Sequence, residues 1–77
     1  MLRFSDRTGL EWDVVLGRES WGAIVVLFVP RTADDVPVRQ VALTAASYDV
    51  AVQELNALDT DALQALLDRA TIKQEGG

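Results

Sequence analysis

The longest apolar run of the chain is Ala23-Ile24-Val25-Val26-Leu27-Phe28-Val29, with Trp21-Gly22 before it and Pro30 after it. The run is rich in β-branched residues and too short to cross a bilayer. It is closed by a residue that cannot donate to a ladder, so it predicts a central, buried strand over about 21–29. The segments before it alternate instead. Leu2-Arg3-Phe4 opens a short strand over 2–5. Asp6-Arg7-Thr8-Gly9 has the sequence of a type I turn closed by a left-handed residue, and the hairpin it makes pairs Phe4 with Trp12 and Leu2 with Val14. Over 10–16 the period of two is clear, with Leu10, Trp12, Val14 and Leu16 on one face and Glu11 and Asp13 on the other.

Gly17-Arg18-Glu19-Ser20 reads as the next turn. With two or four residues in that turn, Leu16 falls opposite Trp21, Val14 opposite Ala23, Trp12 opposite Val25 and Leu10 opposite Leu27. The core face then carries both tryptophans, and the second face carries Val15, Ile24, Val26 and Phe28 beside Glu11 and Asp13. A turn of odd length exchanges the faces, because the side-chain period is two. Arg31 to Pro37 reads as a loop with Asp34-Asp35 at its tip, and 38–43 as a fourth strand with Val41 and Leu43 inward.

From Ser47 the period becomes helical. Tyr48, Ala51, Val52, Leu55 and Leu58 form one apolar stripe over 48–58; Leu63, Leu66, Leu67 and Ala70 form another over 60–70. Ser47 and Asp59 fit the N-cap positions, and Leu58 and Leu63 a hydrophobic staple around the second cap. Residues 71–77 read as a flexible tail. The expected architecture is a single α+β domain over 1–77: an antiparallel meander of three to four strands, then two short C-terminal helices packed on one sheet face.

The chain has 77 residues, 49% of them hydrophobic. At this size about 60% of the unfolded surface can be buried, so stability depends on good packing or on a partner. Cysteine is absent, which excludes a disulfide framework and thiolate metal sites. Small secreted domains are more often disulfide-bonded. Arg3, Asp6 and Arg7 interrupt the apolar stretch that a signal peptide needs. The expectation is a small soluble protein of a bacterial cytoplasm, with no membrane insertion. Residues 44–77 hold two basic against six acidic residues, a net −4, within a total of −5. Nucleic-acid binding needs clustered Lys and Arg and is not expected.

Candidate chemistry is sparse. Histidine and cysteine are both missing, so acid–base work would fall to carboxylates, the lysine or Tyr48. Glu11 and Asp13 share a strand face, the ordinary pattern of a solvated face. Ser20 has no base to activate it. Asp34-Asp35 and Asp59-x-Asp61 lack the spacing of a calcium loop, and no glycine-rich loop precedes a helix to cradle phosphate. The reading is therefore not an enzyme, with no catalytic residue, cofactor or metal.

Gly17 to Gly22 combines Arg and Trp, the residue types commonest at interface hot spots. Arg18 projects from the turn, while Trp21 is expected as a core anchor. The Gly76-Gly77 end resembles the diglycine tail of ubiquitin-like and sulfur-carrier proteins. That resemblance implies a terminal carboxylate that is adenylated and joined to lysine or sulfur, on a β-grasp fold in which a strand leads into the tail. Here the segment before the tail, 61–70, reads as a helix.

Two short helices can cover one sheet face, yet the central strand is apolar on both. The leading expectation is thus a protein-binding module, accessory subunit or homodimer, with Val15, Ile24, Val26, Phe28 and Arg18 as its interface. A diglycine-tailed modifier or carrier is one alternative. An acidic inhibitor or antitoxin-like protein with a basic partner is the other.

Overall fold

The computed structural model describes residues 2–18, 22–31 and 35–72. Five strands form one antiparallel sheet in chain order: β1 (Leu2–Ser5), β2 (Glu11–Arg18), β3 (Ile24–Pro30), β4 (Arg39–Ala42) and β5 (Thr71–Ile72). Two helices, α1 (Tyr48–Asn56) and α2 (Thr60–Arg69), lie between β4 and β5 and cover one face. The fold is the expected α+β arrangement of sheet and C-terminal helices. The fifth strand is a correction: Thr71 and Ile72, read as tail, pair with Gln40 and Arg39.

The first hairpin has the expected register, with Leu2 opposite Val14 and Phe4 opposite Trp12. Its turn is closed by Gly9 at φ +90, a conformation costly for residues with a Cβ. Asp6 holds the turn from within. Its carboxylate accepts hydrogen bonds from the Thr8 hydroxyl at 2.6 Å, the Thr8 amide at 2.8 Å, the Trp12 indole at 2.9 Å and the Leu10 amide at 3.1 Å. Burial pushes this carboxyl up, but the Thr8, Trp12 and Leu10 hydrogen bonds outweigh it and hold the group below its ordinary value. Arg7 then ties the turn to α2: its amide donates to Gln64 and its guanidinium to Asp68, each at 2.8 Å.

The second hairpin departs from expectation. Arg18 pairs with Ile24, Leu16 with Val26, Val14 with Phe28 and Trp12 with Pro30. Residues 19–23 therefore separate the two ladders, an odd number, and Gly22 sits at φ +96. The faces of β3 are exchanged relative to the even-turn register. Val26 and Phe28 are fully buried and Ile24 nearly so. These three belong to the domain's own interior, which corrects their assignment to an interface. Trp21 and Asp34 lie outside the described residues.

The core is built from this register. The Phe28 ring meets Phe4 edge-on at 5.9 Å and Trp12 at 6.4 Å, joining β1, β2 and β3. Val14 and Val26 complete the sheet side, and Leu55, Leu63, Leu67 and Ala70 the helix side. Val41 and Leu43 pack against this cluster as expected. Both caps form: the Val50 amide donates to Ser47 Oγ at 3.3 Å and the Ala62 amide to Asp59 Oδ1 at 2.8 Å.

Phe28→Ala is expected to cost about 3–5 kcal/mol in urea denaturation, and Phe28→Glu to abolish the cooperative transition. A Phe28→Glu protein that melts like the wild type contradicts this register. Asp6 makes acid sensitivity a second check. Its folded value lies below its unfolded value, so its contribution is present above pH about 4 and is lost as pH falls through the folded value. Asp6→Asn should cost about 1–2 kcal/mol near neutrality and flatten the decline of stability below that pH.

Candidate interaction surface

Exchange of the β3 faces decides what the uncovered side of the sheet presents. The odd-numbered residues of β2 and β3 point there. Asp13 stands opposite Val29, Val15 opposite Leu27 and Gly17 opposite Val25; on β4, Gln40 stands opposite Leu27 and Ala42 opposite Val25. No described element packs on this face. Val15, Leu27 and Val29 are half-buried. A Cβ at Gly17 would stand 3.2 Å from Leu27 Cδ1 and 3.4 Å from Val25 Cγ2. The two β3 side chains thus lean over the glycine and level the surface, which explains why Val25 is only 8% exposed.

One end of this face is polar. Asp13 lies between two guanidinium groups, 3.8 Å from Arg3 Nε and 3.7 Å from Arg31 Nε. At such distances and exposures these pairs contribute little to stability, but they neutralise the carboxylate that the sequence placed beside Glu11. Toward β4, Gln40 Oε1 is shielded from water and accepts no hydrogen bond among the described residues. Most shielded acceptors have a partner, so this one leaves a hydrogen bond to be filled.

Of the five residues expected at an interface, Val15 alone lies on this face. Arg18 is exposed, on the helix side of the sheet, with its guanidinium 5.4 Å from the centre of the Tyr48 ring. Sequence reasoning missed Val25, Leu27 and Val29 through the parity of one turn, for which Gly22 was the signal, and missed Gly17 by reading it as part of that turn. Glycine beside a strand end marks a turn that needs positive φ more readily than it marks a strand interior.

Other chemistry is thin. No group of three or more His, Cys, Asp or Glu able to hold a metal occurs among the described residues. Asp59 is engaged as a cap and Asp68 with Arg7. No helix among the described residues is long and apolar enough to cross a membrane. Gly76-Gly77 lies outside the described residues, although β5 now stands between α2 and that end. Comparison with protein-family models, with curated proteins and with solved structures finds no match.

Neighbouring residues on opposite faces give a direct contrast. Leu27→Glu should keep a cooperative melt and lose no more than about 2 kcal/mol, since that side chain is already partly exposed on a face that no described element covers. The equivalent change at Phe28 should not fold. Equal losses at the two positions, measured by denaturation, would contradict the assignment of the faces.

Proposed function

We propose that this chain is a non-enzymatic protein-binding module, an accessory subunit or homodimer, whose uncovered sheet face receives another protein. The observation that carries the reading is the cluster of Val15, Val25, Leu27 and Val29 on β2 and β3, levelled over Gly17 with no described element upon it. A central strand apolar on both faces ordinarily has both faces covered. The helices cover one. The shielded Gln40 acceptor and the Arg3–Asp13–Arg31 group give the apolar cluster a polar border, the usual arrangement around an interface core.

A second reading is supported by the helices. Asp49, Glu54, Asp59, Asp61 and Asp68 are all exposed on α1, α2 and their caps. An acidic inhibitor would use them to steer toward a basic partner.

The test is quantitative capture from the source cell with the full chain as bait, beside sedimentation velocity for self-association. The wild type and an Asp61→Lys control should take up the same partner, or dimerise alike, whereas Leu27→Glu should lose at least tenfold. Retention by Leu27→Glu with loss in Asp61→Lys, and an on-rate that falls steeply with salt, would favour the acidic-inhibitor reading instead.

A further inference from the structure

Leu63, Leu67 and Ala70 turn one stripe of α2 into the core. The next stripe, Ala62, Ala65, Leu66 and Arg69, recurs at i, i+3, i+4 and i+7 and stays at the surface. Ala65 and Arg69 are exposed, Ala62 and Leu66 half-buried. With Leu58 and Leu43 this stripe bounds an apolar groove of about 490 Å³ beside the end of α1. β5 runs from Gln40 toward Arg39, away from Leu43, and no lining residue adjoins an undescribed one in sequence.

The groove has two charged members. Glu54 stands in the last turn of α1, next to the connection 57–59; Arg69 ends α2, which runs about 15 Å from that connection. An acid thus marks one end and a base the other. Among the described residues neither forms an ion pair.

We propose that a second copy of this chain docks in this groove, α2 against α2, antiparallel about a two-fold axis between Ala65 and Leu66. Leu66 then fills the space over Ala65 of the second copy. Arg69 comes to Ala62 of the second copy, beside its Glu54. The patch is self-complementary, large against small and cation against anion, and symmetry makes each contact twice. A parallel pairing would set Arg69 against Arg69 instead. One ten-residue helix and its flanks lie at the small end of specific interfaces, so half-dimerisation is expected between about 10 µM and 1 mM. The proposal goes beyond the reading of the sheet face: it assigns self-association to the helices and leaves that face to a different protein.

The test is sedimentation equilibrium of the full chain at about 0.15 M salt, which screens the −5 carried by each copy. Ala65→Glu, at an exposed position on the axis, should weaken dimerisation at least tenfold. Glu54→Arg and Arg69→Glu should each do the same, and the double exchange should restore it to within about threefold of the wild type, since the rim pair is reversed but kept. Leu27→Glu should dimerise as the wild type does. Should a charge variant not fold, crosslinking serves, because the chain has no cysteine of its own. Ala65→Cys, oxidised with copper phenanthroline, should give disulfide-linked dimer at least tenfold faster than Val50→Cys on α1 outside the groove. A wild type still monomeric at about 1 mM, a double exchange no tighter than its single variants, or equal crosslinking at the two positions overturns the proposal. Dimerisation lost in Leu27→Glu but kept in Ala65→Glu also overturns it, and leaves the sheet-face reading standing.

Discussion

The edge-on contacts of Phe28 with Phe4 and Trp12 join three strands through one ring. They place the largest fully buried side chain among the described residues under the helices, and the rest of the layout follows from that placement. With Phe28 inward, Val26 is inward on β3, and Val14 and Leu16 on β2; Val25, Leu27 and Val29 point to the uncovered side. A chain this small cannot roof both faces of its sheet. Which apolar residues become interior and which become surface is therefore set by the pairing of β2 with β3.

Much of this was legible in the residues. The period of two across 10–16, the Asp6 to Gly9 turn and the two capped apolar stripes led to the correct first hairpin and to both helices, because in each case local chemistry and hydrophobic pattern point the same way. The second hairpin was not legible from pattern. From Ala23 to Val29 both parities are apolar, so hydrophobicity has no preference between registers differing by one residue. The decision falls to the turn, where Gly22 at φ +96 leaves five residues between the paired ends. Of the candidate surface, Ile24, Val26 and Phe28 inherited that error, whereas Val15 and Arg18 belong to β2, whose faces the turn does not exchange. Thr71 and Ile72 were missed for a different reason: two exposed residues carry no periodicity, and their strand is made by the edge of β4.

The polar groups complement this arrangement. Asp6 links turn, indole and backbone, so the side chain that closes the first hairpin also fixes the orientation of a core tryptophan. Arg7 carries that turn onto α2. Among the described residues, the side-chain hydrogen bonds are thus concentrated at the β1–β2 turn and α2, while the Arg3–Asp13–Arg31 group borders the uncovered face and Arg18 stacks on Tyr48 of α1.

The two-faced apolar character of β3 also has a bearing on how the chain reaches its fold. In most antiparallel hairpins a slip by one residue is self-correcting, since it drives charged side chains into the interior. Here the slipped hairpin would bury Val25, Leu27 and Val29 in place of Ile24, Val26 and Phe28, so hydrophobicity alone separates the two pairings little. Discrimination rests on a single backbone geometry at Gly22 and on the fit of the Phe28 ring, both of which are realised only when strands already meet. Pairing is thus selected by fit rather than by hydrophobic pattern, and a chain that has not yet made that fit leaves an apolar strand open to contact.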